Sequence, residues 1–212
     1  MAPRVHSSSP TTAAAAAAPS SPPATCTGER RKVFTVWMKS LVLNGHGCTV
    51  YDSDGGIVYR VDNYGSARCC GGGGGVCLMD LHGTVVLNIV KRRLTFGRWE
   101  GYRRSPGQTP WFTVTRPCSP FRRRPPSSCE FWCDDTGRAM RYTITDERRT
   151  GKQGCRIVDP STGLAVAEAK RKTTACGVAL GEDVLFLVVE PHADHSLVMG
   201  LVLVHGLMNH TM

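Results

Sequence analysis

The sequence predicts a mainly β protein: a closed antiparallel β-barrel wrapped around a central hydrophobic C-terminal helix. Two observations carry this. Leu197 through Val204 offers no polar side chain over eight consecutive residues, and a surface helix needs a polar stripe, so this segment must be enclosed by protein or lipid. It is too short to cross a bilayer, which takes about 20 apolar residues. The preceding run Val184-Leu-Phe-Leu-Val-Val189 does not extend it, because Glu190, Pro191, His192, Asp194 and His195 intervene. The second observation is a repeated strand–turn–strand pattern between residues 33 and 190, with no amphipathic helical period. A closed barrel removes the sheet edges that so many strands would otherwise expose, and a wide enough interior accepts a helix.

Residues 1–28 are rich in Ala, Pro, Ser and Thr and carry no acidic side chain before Glu29. Such a segment cannot bury enough apolar surface to fold, so a disordered tail is expected, followed by one domain over 29–212. The first strands are Val33-Phe-Thr-Val-Trp37 and Ser40-Leu-Val-Leu43. Cys48-Thr-Val-Tyr-Asp52 then leads through Ser53-Asp54-Gly55-Gly56 to Ile57-Val-Tyr-Arg-Val61, and Asp/Gly chemistry between two β-branched runs signals a hairpin.

The phrase recurs twice. Val76-Cys-Leu-Met-Asp80 turns at Leu81-His82-Gly83 into Thr84 to Val90, and Cys155-Arg-Ile-Val-Asp159 turns at Pro160 to Gly163 into Leu164-Ala-Val-Ala. Asp80 lies eleven residues before Lys91-Arg92-Arg93, and Asp159 eleven before Lys170-Arg171-Lys172. The spacing predicts an internal repeat whose two hairpins end in equivalent basic triplets. Asp80 and Asp159 read as turn residues whose carboxylates bond nearby backbone.

Gly71 to Gly75 reads as a flexible loop; Val76-Cys77 follows it, where a phosphate-binding loop would need Gly-Lys-Ser/Thr. Arg103 to Ser128, with six prolines, reads mainly as loop around one strand, Trp111-Phe-Thr-Val-Thr115. Trp37, Trp99, Trp111 and Trp132 are scattered and are expected to pack the barrel. The terminal helix should start near Asp194 or Ser196 and stop near Gly206 or Asn209. Periodicity over eight residues does not by itself separate this helix from a buried central strand, and Val198, Val202 and Val204 lean toward the strand.

The 26 Lys+Arg outnumber the 17 Asp+Glu by nine, which suits anionic partners, nucleic acid or acidic lipid head groups, with a merely solubilising basic surface as the equal alternative. Ten cysteines would suggest disulfides in a secreted chain. The N-terminus lacks the apolar core of a secretory signal, so reduced, mostly buried thiols are expected. Cys129 and Cys133 have no companion pair at zinc-site spacing, so no metal or other cofactor is expected. No Gly-x-Ser-x-Gly, His-Glu-x-x-His or Walker motif occurs; His192, His195 and His205 flank or sit in the terminal segment, and no catalytic residue is assigned.

These phrases resemble the plant LURP-one-related proteins. The matching stretches are Phe34-Thr-Val-Trp-Met-Lys-Ser-Leu41, Gly47-Cys-Thr-Val-Tyr-Asp52 and Tyr59-Arg-Val-Asp-Asn-Tyr64, then Leu78-Met-Asp80 and Lys91-Arg-Arg-Leu94 with Trp99. Ala169-Lys-Arg-Lys172, Gly181-Glu-Asp-Val184 and Leu187-Val-Val-Glu-Pro191 follow in the same order. The resemblance implies a tubby C-terminal-like fold, about twelve antiparallel strands around a central C-terminal helix, which decides helix against strand. It implies no enzymatic activity, kinship with phospholipid scramblases and with tubby-like membrane-tethered transcription factors, and a link to plant defence.

On this reading the protein is a peripheral, monomeric module for anionic membrane lipid or a protein partner. Its candidate lipid contacts are Lys91, Arg92, Arg93, Lys170, Arg171 and Lys172, with Arg122-Arg123-Arg124 as a supplement. A nucleic-acid-associated nuclear regulator is the alternative, although no recognition helix or ordered aromatic motif supports it. The expected location is cytoplasmic, peripheral at the plasma membrane or nuclear. Plastid targeting is a further alternative raised by the Ser-rich, acid-poor N-terminus.

Overall fold

A computed structural model describes residues 30–38, 47–62, 75–95, 97–103, 109–118, 125–134, 136–146, 154–171 and 184–209. The strands are β1 (Lys32–Trp37), β2 (Cys48–Tyr51), β3 (Ile57–Asp62), β4 (Gly75–Asp80), β5 (Val85–Lys91) and β6 (Arg98–Tyr102). They continue as β7 (Phe112–Thr115), β8 (Ser127–Cys133), β9 (Arg138–Asp146), β10 (Gly154–Val158), β11 (Ala165–Arg171) and β12 (Val184–Val189), and α1 (His195–Met208) ends the described chain. Every strand pairs antiparallel with its neighbours in sequence, and β1 closes on β12 in the register Lys32↔Val189 to Trp37↔Val184. The result is a closed twelve-stranded barrel with no free edge. The expected strand at Ser40–Leu43, Arg122 to Arg124, Lys172, the tail 1–28 and the first four residues of the loop expected at 71–75 lie outside the described residues, and the last of that loop, Gly75, instead begins β4.

The barrel interior follows from alternation. Phe34 and Val36, Leu87 and Ile89, Phe112 and Val114, and Ile144 and Ile157 point inward, each 5% exposed or less. They surround α1, where the seven large apolar residues between Leu197 and Val204 are no more than 2% exposed and Gly200 among them is buried. A helix apolar on every face is therefore satisfied on every face. At roughly 1.5–3 kcal/mol per large apolar side chain, this burial is a dominant stabilising contribution. Leu207 and Met208, at the far end, are only half-buried. The N-cap is Asp194, whose Oδ1 accepts from the Ser196 and Leu197 amides at 2.8 and 3.0 Å. The C-cap is Asn209.

Two glycines let the helix fit. The Phe112 ring folds over Gly101 in the neighbouring strand, where an added Cβ would lie 2.1 Å from the ring. The same edge of the ring meets Gly200 of α1, where a Cβ would lie 2.6 Å from Leu87 and 3.1 Å from Phe112.

Because the strands alternate in direction, odd-numbered strands all end at one rim and even-numbered strands at the other. The helix enters at the rim where β12 ends, here called the N-rim, and finishes at the opposite C-rim. There Arg116 donates from Nη1 to Asn209 Oδ1 at 2.9 Å and from Nε to Ser127 Oγ at 3.0 Å. The N-rim carries the tight hairpins. Asp52 Oδ1 accepts from the Asp54 and Gly56 amides, Asp80 Oδ1 from His82 and Thr84, and Asp159 Oδ1 from Ser161. The left-handed residues these turns require are Gly55, Gly83 and Gly163, with φ of 84°, 81° and 71°. The aspartates are structural, as their sequence context indicates.

Two expectations need correction. The turn after Asp159 closes on Leu164, whereas that after Asp80 closes on Thr84, so the second hairpin is one residue longer. The bulges that follow are equivalent, and Lys91 therefore corresponds in register to Arg171, not Lys170. The repeat holds, but the triplets are offset by one position. Trp132 also departs from expectation: Cys129 and Phe131 take the inward positions of β8, and Trp132 projects outward at 54% exposure. Among the described cysteines, Cys48, Cys77, Cys129 and Cys155 are buried, Cys133 is half-buried and Cys118 exposed.

Candidate functional site

β5 and β11 both run toward the C-rim, so the two basic triplets meet the same end of the barrel. They are six strands apart in a ring of twelve and stand on opposite sides of its mouth. The individual cations differ in what they do. Lys91 sits at the inner lip with Nζ 5.9 Å from the centre of the Trp99 ring, which is 7% exposed. Arg92 points outward, where its Nε donates to Glu100 Oε2 at 2.6 Å and its Nη2 to Tyr102 Oη at 2.7 Å. Arg93 and Leu94 form the exposed tip of the β5–β6 turn, with Leu94 fully in solvent. Lys170 pairs with Glu168 at 2.8 Å, Arg171 is half-buried, and Lys172 is outside the described residues.

Glu100 organises this lip. Its side chain is buried on the outer face of β6, beside a small outer cluster of Cys77, Val90 and Tyr102. Burial raises its carboxyl, but hydrogen bonds from Tyr102 and Arg92, with the charges of Arg92 and Arg98, outweigh burial and hold it below its ordinary value. The Glu100 hydrogen bond in turn raises the Arg92 guanidinium. Burial and the same carboxylate raise the Tyr102 hydroxyl. Arg98 donates to Glu100 Oε1 at 3.0 Å, so one carboxylate holds both ends of the β5–β6 turn. Gly97 closes it with φ of 72° where a Cβ would strike the Arg116 carbonyl at 2.7 Å. The turn therefore presents Arg93 from a rigid base.

A second feature lies at the N-rim. A cleft of about 490 Å³ opens between the start of β1, the β2–β3 turn and the β12–α1 connection. Arg30, Arg31, Lys32, Phe34, Pro191 and His195 line most of it, and Asp52 and Ser53 line the turn side. His195 meets Phe34 edge-on, with ring centres 5.8 Å apart. Its three contributing segments are far apart in sequence, which is why no motif marks it. Across the rim, Arg103 stacks 3.7 Å from the Trp111 ring and bonds Asp134 and, at 3.0 Å, the N-cap Asp194.

Among the described residues no group of His, Cys, Asp or Glu is arranged to hold a metal ion, and no helix is long and apolar enough to cross a membrane. The architecture defines a class of protein, a closed barrel whose lumen is filled by its own terminal helix. The chain belongs to the LURP-one-related family, whose model matches residues 32–206. Its relatives include LURP-one-related 11 of Arabidopsis thaliana, 38% identical over 83% of this chain and 77% of that protein. LURP-one-related 5 of the same plant is 40% identical over 84% and 82%. A crystal structure of an Arabidopsis thaliana protein shares the fold with a TM-score of 0.55 at 15% identity, over 86% of this chain and 93% of that one.

Proposed function

We propose that the protein is a non-enzymatic peripheral module that lays its C-rim on an anionic membrane surface. The observation that supports this is the common rim of the two triplets, with Lys91, Arg92, Arg93, Lys170 and Arg171 spread to either side of the mouth. Each Lys or Arg close to an acidic leaflet contributes about 1 kcal/mol, within a Debye length of the surface. Arg93 is the strongest contact, because it stands on a braced turn, and Leu94 beside it offers an apolar side chain to the interface. Arg92 acts indirectly, holding that turn through Glu100. Among the described residues the helix fills the lumen, which supports a binding role at the surface over catalysis inside the barrel. Kinship with phospholipid scramblases and a setting in plant defence belong to the same proposal.

Sedimentation with vesicles tests it. Binding should require phosphatidylserine or a phosphoinositide, fall with added salt, and drop when Arg93, Lys170 and Lys172 are each replaced by Glu. Equal, salt-insensitive binding to neutral phosphatidylcholine vesicles defeats the proposal. A gel shift at physiological salt showing sequence-selective DNA binding would favour the nuclear alternative instead.

A further inference from the structure

We propose that the N-rim cleft is a binding site for a small organic anion, one acidic group carried on an apolar, ring-sized body. It lies at the opposite end of the barrel from the basic triplets and is independent of the lipid reading. Its volume of about 490 Å³ falls within the ~300–1,000 Å³ of small-molecule sites.

The charges around the cleft are unequal. Arg31 is engaged by Glu190, Nε to Oε2 at 2.9 Å. Among the described residues Asp52 is the one carboxylate that lines the cleft, and its Oδ1 is held by two turn amides. Among the described residues no carboxylate lies within ion-pair distance of Arg30 or Lys32, so two cations border the space without a counter-charge. An acidic group there would gain charge-assisted hydrogen bonds. Apolar surface from Val33, Phe34 and Pro191 lies against the same space, which inorganic phosphate alone would leave unused.

The walls are also fixed in advance. β1 is paired with β12 from Lys32 to Trp37 and with β2 from Thr35 onward, the β2–β3 turn is locked by Asp52, and the helix start is capped by Asp194. A preformed site loses little entropy to ordering when its ligand arrives.

The test uses the full-length chain and 8-anilinonaphthalene-1-sulfonate as probe, with N-phenyl-1-naphthylamine as its uncharged counterpart, both titrated by fluorescence. The sulfonate should saturate a single site and slow hydrogen exchange at residues 30–34 and 52–54. Replacing Arg30 and Lys32 together by Glu should weaken it about tenfold or more, as expected for the loss of charge-assisted bonds, while changing the uncharged compound much less. Ser53→Trp, a substitution in an exposed turn that fills the cleft, should abolish both. Unchanged thermal midpoints would show that these surface variants remain folded. Non-saturating binding, survival of binding in Ser53→Trp, an unchanged affinity after charge reversal, or full displacement by equimolar inorganic phosphate would each overturn the proposal.

Discussion

Gly101→Ala is the most informative single substitution. In a generic strand this change stabilises by about 0.5–1 kcal/mol, because glycine loses more backbone entropy on folding. Here the new Cβ would lie 2.1, 2.3 and 2.7 Å from three atoms of the Phe112 ring. The helix crowds the same edge of the ring, since a Cβ at Gly200 would lie 3.1 and 3.2 Å from two of those atoms. Overpacking of this kind costs typically 1–3 kcal/mol, and with helix and strand both close to this edge the expected net loss is about 2 kcal/mol. For a domain of this size that is a fall in Tm of roughly 4–8 °C. Phe112→Leu should cost about 1–2 kcal/mol alone as a cavity, yet rescue Gly101→Ala, so that the pair is more stable than the sum by at least about 1 kcal/mol. The cycle is read by urea unfolding of the four proteins. A neutral or stabilising Gly101→Ala, or a strictly additive pair, would refute the threading of helix and strand through this ring.

Three other outcomes are expected. Asp194→Ala removes the acceptor for two helix amides and one of the two carboxylates that hold Arg103, costing about 1 kcal/mol in thermal unfolding. Glu100→Ala leaves Arg92 and Arg98 facing one another and Tyr102 without its carboxylate. The loss should be about 2 kcal/mol in urea, moderated because both guanidiniums are partly solvated, and Glu100→Gln should recover only part of it. Stability should also erode on the acid side. The Asp80 carboxyl is lowered first by the Thr84 amide, and Asp159 first by the Ser161 hydroxyl. Groups depressed in the folded state stabilise it above their ordinary value near about pH 4 and lose that contribution as pH falls through the lowered one. The Asp80→Asn and Asp159→Asn pair keeps the turn acceptors but removes the titration, so its acid limb in urea unfolding should be shallower.

The fold was legible where local chemistry speaks alone. An unbroken apolar run marks α1, and Asp with a following glycine marks the hairpins at 52–56, 80–84 and 159–164. β8 and β9 are marked less plainly, because outward Glu130, Trp132 and Arg141 dilute the inward Cys129, Phe131, Tyr142 and Ile144. The triplets were visible as charge, but not their register, which turns on one extra residue in the second hairpin. Nor could the sequence show that Arg92 braces a turn, since its partners Glu100 and Tyr102 meet it only through the β5–β6 pairing. The cleft needs barrel closure before residues 30–34 approach Pro191 and His195. Its absence from any linear pattern is a consequence of topology.

The central claim, a terminal helix sealed inside a closed barrel, is tested most directly by residue-resolved amide hydrogen exchange. The amides from Leu197 to Val204 should be among the slowest in the protein and exchange only through global unfolding, with a denaturant dependence equal to that of the whole domain. Fast exchange of that segment through local opening, while the strand amides stay protected, would contradict the account.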